Sequence, residues 1–165
     1  GNHESWGEYP ETEERFGSVL GRNQAYIKMT VAKPDKSCFV SFYQHIRRFR
    51  IYGQDGKLKR DVILDLFPGQ ECPEVDDNMR LIHPICVYTT DNYIYTLNLD
   101  MTTEDVEDRK TTPNIQVFDW EGKPLIQYKL DCFINTFAVD EVAHKIYGVF
   151  VEDEDHIYVF NLPQL

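Results

Sequence analysis

No apolar run in the sequence approaches the roughly 18 residues that a membrane-spanning helix needs. Residues 1–20 contain no apolar signal core. The chain opens on Gly1 rather than Met, so we expect an upstream segment to have been removed, whether a signal, a tag or more protein. No C-x-x-C pair and no Cys/His spacing of a zinc site occurs. G-x-S-x-G, H-E-x-x-H and glycine-rich phosphate loops are absent too, which removes the common hydrolase and nucleotide signatures. Basic residues are short: 17 against 28 acidic ones, a net charge of −11. Such a surface repels phosphate backbones, so nucleic acid is excluded as a partner.

What the chain does have is aromatic and β-branched residues in alternating runs, with ten Tyr and ten Phe among 165 residues. That is strand material. The runs repeat. Residues 31–52 (VAKPDKSCFVSFYQHIRRFRIY) lie over 139–160 (VDEVAHKIYGVFVEDEDHIYVF) without a gap, and a middle copy spans 87–118 with a longer acidic loop. In the first copy we expect strands over 25–31, 37–43, 48–52 and 57–64. The turns between the first two strands, Lys33-Pro34-Asp35-Lys36, Thr89-Thr90-Asp91-Asn92 and residues 140–144, carry turn chemistry. Asp55-Gly56 and Glu121-Gly122 hold the same place in the next hairpin, where Gly supplies a positive φ.

Tandem four-stranded units predict an all-β fold of β-propeller blades, each burying its faces against copies of itself. We expect a single partial propeller with blades near 21–67, 79–131 and 132–165, and residues 1–20 as a connector or N-terminal arm. The third unit ends without a fourth strand. Residues 14–20 are a candidate to supply it from the other end of the chain. Three blades are half of a six-bladed ring, which leaves two arrangements open: missing N-terminal blades, or a homodimer that completes the ring.

The four cysteines, Cys38, Cys72, Cys86 and Cys132, are an even number. Cys38 aligns with Ile94 and Ile146, and Cys86 with Thr30 and Ala138. These are interior-type positions, so we read mostly unpaired thiols behaving as small hydrophobes.

The hairpins IYGQDGK and VFDWEGK, the repeat of β-rich strands and the connector Trp6-Gly7-Glu8-Tyr9-Pro10 resemble the six-bladed TolB-like propellers. The resemblance runs from about residue 5 to 165 and matches the C-terminal half of such a propeller. It implies a periplasmic or lipid-anchored, cell-surface envelope protein. Six-bladed relatives include both binding domains and metal-dependent lactonases, so the fold alone does not choose a chemistry.

Candidate site residues are few. His83 and Asn135 align with Ile27 at the start of the first strand, where they would face a central channel. Arg47 and Arg48 sit with His45 in the loop at 44–47 or beside it. The loops at 100–113 and 152–155 bring Glu104, Asp105, Glu107 and Asp108, and Glu152, Asp153, Glu154 and Asp155. Their spacing fits no calcium motif, and consecutive acids on one loop cannot all turn inward. Tyr95 and Tyr147 align with Phe39 and read as packing positions. We therefore expect no cofactor and no catalytic residue. The expected function is a non-catalytic module binding a protein or small ligand through His83, Asn135, Arg47 and Arg48. A metal-dependent hydrolase or lactonase, or a structural segment of a larger propeller, are the alternatives.

Overall fold

A computed structural model describes Ser5, Gly7 and residues 16–64, 72–108 and 112–162. Three antiparallel sheets follow one another along the chain. Sheet one is β1 (Lys28–Ala32), β2 (Cys38–Tyr43), β3 (Arg48–Gly53) and β4 (Leu58–Ile63), in that order. Sheet two is β5 (Ile82–Thr89), β6 (Tyr93–Met101), β7 (Asn114–Asp119) and β8 (Pro124–Lys129). Sheet three has β9 (Thr136–Asp140), β10 (Lys145–Phe150) and β11 (Asp153–Asn161), and β11 is its outer edge. This is the partial propeller the repeats predict.

Alternation along each strand gives every sheet two working faces. Cys38, Val40, Phe42, Phe49 and Ile51 of sheet one pack against Ile94 and Phe118 of sheet two. Tyr95, Leu97, Ile115 and Val117, on the opposite face of sheet two, pack against Phe137, Val139 and Ile146 of sheet three. The core is thus two slabs between three wedges. Phe118 carries the first slab, with its ring centroid 5.0 Å from that of Phe49 and 6.0 Å from that of Phe42.

The expected third-to-fourth-strand hairpins form as read, with Gly56 at φ 75° and Gly122 at φ 85°. Gly122 is also a point of close approach: a Cβ there would stand 2.5 Å from Val62 Cγ2 across the seam. The expectation of unpaired thiols holds, since all four cysteines are free.

Several boundaries differ from expectation. Residues 25–27 are not strand: Ala25 ends a short helix, α1 (Val19–Ala25), whose Ser18 hydroxyl accepts the Gly21 N–H over 3.0 Å. A side-chain acceptor at the N-cap starts a helix and opposes a strand. The same helix takes Val19 and Leu20 from the strand expected over 14–20, while Glu14 and Arg15 lie outside the described residues. Of the connector at 6–10, only Gly7 is described, beside Tyr52. The loop expected over 100–113 begins in regular structure: Asp100 and Met101 end β6, and Thr102 caps a second helix, α2 (Thr103–Glu107). Asp153 and Asp155 belong to β11 rather than to a loop.

The gapless alignment of copies one and three is also out of register in its first hairpin. Strand pairing makes Ile51, Val117 and Val159 counterparts, because they oppose Val40, Tyr95 and Tyr147. Tyr95 and Tyr147 therefore correspond to Val40, not Phe39. A one-residue slip sends a side chain to the other face, which is why Cys38 looks toward sheet two while Ile146 looks back at it.

Candidate functional site

The expected site residues separate into three places. Arg47 and His83 converge at the seam between sheets one and two. The tight loop after β2 brings Gln44 O to the His83 N–H at 2.8 Å, and His45 Nδ1 donates to Leu81 O at 3.0 Å. Arg48 instead forks onto Asp61 within sheet one, through Nε at 2.7 Å and Nη2 at 2.6 Å, and Arg50 Nε joins at 3.0 Å. Asn135 is held in sheet three: its Oδ1 accepts the Val151 N–H at 2.9 Å and its own N–H donates to Val149 O at 2.8 Å.

The residue that joins Arg47 to His83 is Asp100, which sequence reasoning left among loop acids. Asp100 Oδ1 lies 2.9 Å from His83 Nδ1 and 3.1 Å from Arg47 Nη2, while Oδ2 accepts from Asn114 Nδ2 at 3.4 Å. Its backbone is left-handed, φ 58°, where the β5–β6 register slips between Ile82 and Cys86. Bulges re-aim side chains in this way, and a non-glycine residue in that region is held by its surroundings. Burial pushes the Asp100 carboxyl up, but His83, Arg47 and Asn114 outweigh it and hold it below the ordinary carboxylate range. Burial pushes the His45 ring down, and neighbouring Arg80 and His83 add to that.

Around this clasp lie the buried polar side chains of Thr96, Asn98 and Gln116. The enclosed space beside them is about 10 Å³, room for a single water and no larger ligand. His83 is 3% exposed. The geometry ties two sheets together and presents no nucleophile. Among the described residues, no three His, Cys, Asp or Glu side chains stand close enough to hold a metal.

A larger groove of about 490 Å³ runs between β4 and β8 along the outer rim, lined by Val62, Leu64, Phe118, Leu125, Gln116 and Gln127. The outward face of sheet three is open among the described residues. Phe49 and Ile115 are fully buried, whereas their counterpart Ile157 is 67% exposed. Ile51 and Val117 are buried likewise, and their counterpart Val159 is 54% exposed. Sheet one differs at its own outward face: Tyr43 there is covered by Ala25 and Tyr26, and Tyr26 meets Tyr43 edge-on at 6.1 Å.

Residues 85–142, all of β6–β8 with most of β5 and the start of sheet three, match the family TolB-like 6-blade propeller-like. No curated protein matches the sequence. Among solved structures, the crystal structure of RRP9 WD40 repeats is 14% identical, with a TM-score of 0.53 over 84% of this chain and 36% of that one. The structure of U3-55K is also 14% identical, with a TM-score of 0.52 over 84% of this chain and 37% of that one. Sqt1 of Saccharomyces cerevisiae is 9% identical, with a TM-score of 0.52 over 83% of this chain and 33% of that one. At these identities the likeness is one of fold. The chain spans about a third of each of these structures.

Proposed function

We propose that this chain is a non-catalytic propeller module that engages a protein partner through the outward face of sheet three. One observation carries the reading. The same pairing positions that are buried between sheets one and two, and between two and three, stand open at Ile157 and Val159, with Tyr147 beside them. Contiguous exposed apolar surface of this kind marks an interaction site. The seam at Arg47, Asp100 and His83 then acts as the clasp that keeps the sheets rigid behind that face. Covering of Tyr43 by Tyr26 disfavours a ring closed by two copies, because such a ring needs the outward face of sheet one.

The test is selection of a displayed peptide library against the whole chain and against Ile157→Lys. Sequences enriched only by the unaltered chain support the reading, and equal enrichment by both overturns it. The match over 85–142 also supports an envelope location for the module. No described helix is long and apolar enough to cross a membrane. Fractionation that finds the protein wholly in the cytoplasm would overturn that location.

A further inference from the structure

Three contacts cross the loop end of the seam between sheets one and two. His83 N–H donates to Gln44 O over 2.8 Å, His45 Nδ1 lies 3.0 Å from Leu81 O, and Arg47 Nη2 lies 3.1 Å from Asp100 Oδ1. A carbonyl only accepts, so the His45 ring carries its proton on Nδ1 and keeps Nε2 as the site for a second one. The turn end of the same seam is held by contacts that involve no histidine. There Thr89 Oγ1 donates to Ala32 O over 2.9 Å, the Asp35 N–H donates to Asp91 Oδ1 over 3.1 Å, and Arg60 pairs with Glu121.

The charges that reach the half-buried His45 ring are Arg80 and Asp77, from the segment before β5, and His83 on β5 itself. Arg47, in the same loop as His45, and Asp100, at the end of β6, stand against His83. Strand β7 brings the neutral Asn114, and α2, packed on the turn at Asp77–Met79, carries Glu104, Asp105 and Asp108. Both nearby carboxylates are engaged, Asp100 by His83, Arg47 and Asn114, and Asp77 by Arg80. Arg80 is 6% exposed and fixed by Glu74 O at 2.6 Å and Val75 O at 2.9 Å, so it stays beside the ring. A second proton on His45 therefore adds a cation to a half-buried place where the near carboxylates already serve others. Burial does most to hold the ring below its ordinary value, and Arg80 and His83 add to it against the Leu81 carbonyl and Asp77.

We propose that His45 is an acid-sensitive latch on the seam between sheets one and two, which opens at its loop end when the ring takes a second proton. The turn end, free of histidine contacts, then serves as the hinge. Leu64 and Gln116 line both the enclosed space beside Asp100 and the outer groove between β4 and β8, so movement at the latch reshapes that groove. The latch is independent of what docks on sheet three. The neutral ring fastens the seam fully above the ordinary histidine value near 6.5, and that hold is lost as the pH falls through the lower folded value. Asp100, held below the ordinary carboxylate range, stays ionised over this window, so the latch opens while the clasp keeps its charge.

The reporter is the His83 amide, which crosses the seam to Gln44 O. Its protection against hydrogen exchange, corrected for the intrinsic rate, should fall at least about threefold between pH 7.5 and 5.5, with a ceiling of about tenfold one pH unit below the ordinary histidine value. The Leu130 amide, bonded within sheet two to Pro113 O, should keep its protection. His45→Asn places an uncharged donor where Nδ1 stands and should hold the His83 amide constant over the same range. An equal loss in the unaltered chain and the variant overturns the proposal, as does no loss in the unaltered chain. A loss shared equally by Leu130 overturns it too, because the whole fold is then responding. If the variant fails to fold, the ring signals of His45 in the unaltered chain decide: titration below the ordinary value and in step with the His83 amide supports the latch, and titration at or above that value overturns it.

Discussion

Asp100, at the end of the second strand of sheet two, reaches Arg47 at the rim of sheet one while also accepting from His83 in its own sheet. One carboxylate thereby locks a loop, an inner strand and a bulge together.

Removing that carboxylate takes from the buried Arg47 guanidinium and from His83 the charged partner they share. Asp100→Asn should lower stability by roughly 2–4 kcal/mol at pH 7, read by chemical denaturation. The sign with pH follows from the depressed carboxyl. Its contribution is full above the unfolded value near pH 4 and fades as the pH falls through the lower folded value. The gap between the unaltered chain and the variant should therefore narrow below about pH 4. A gap that stays constant to pH 2.5, with both proteins folded, would refute this account of the clasp.

Gly122 faces two constraints at once, a left-handed backbone and the methyl of Val62 across the seam. Gly122→Ala should cost roughly 2–4 kcal/mol, from overpacking together with backbone strain. Combining it with Val62→Ala should recover the steric part but not the backbone part. Full additivity of the two substitutions would show that the contact carries no strain.

Ile115 and Ile157 occupy one pairing position in successive sheets with opposite burial. Ile115→Ala should cost about 2–5 kcal/mol, and Ile157→Ala within about 0.5 kcal/mol, in thermal or denaturant unfolding. Similar losses at both positions would mean that the outward face of sheet three is packed in solution.

Tyr95 donates its hydroxyl to Glu141 at 3.0 Å, and Glu141 also accepts from Thr90 and Asn92, tying the turns of sheets two and three. Burial first, then the Glu141 charge, pushes the Tyr95 phenol well above its ordinary range. A raised phenol favours the folded state below the unfolded pKa near 10 and loses that advantage as the pH climbs beyond it. Unfolding at alkaline pH should be shallower in Tyr95→Phe, whose cost at neutral pH is about 1 kcal/mol. Identical alkaline limbs for the two proteins would exclude Tyr95 as the titrating group.

Much of the architecture was legible from the sequence because repetition exposes it. Gly56 and Gly122 marked their hairpins through a backbone need that only glycine meets easily. The strands at 48–53 and 114–119 declared themselves by alternation. Register within the first hairpin was not legible, because turns of different length there flip a face without changing residue type. The clasp was half legible. His83 stood out as a polar group at a strand start and Arg47 as a charge in the loop before the third strand, whereas Asp100 was hidden by a bulge that local pattern does not encode. Arg48 and Asn135 resembled them by position, yet cross-strand Asp61 and the backbone of β10 hold them elsewhere.

The short helix α1 gives the molecule a polarity. Head-to-tail addition of identical units requires two complementary surfaces, and here the Tyr26–Tyr43 contact seals one of them. With that surface covered, docking on the outward face of sheet three, as proposed, would stop at a single event instead of growing into a fibre. Unseating α1, for example by Tyr26→Asp, should then allow head-to-tail growth, seen as a rise in solution mass with concentration.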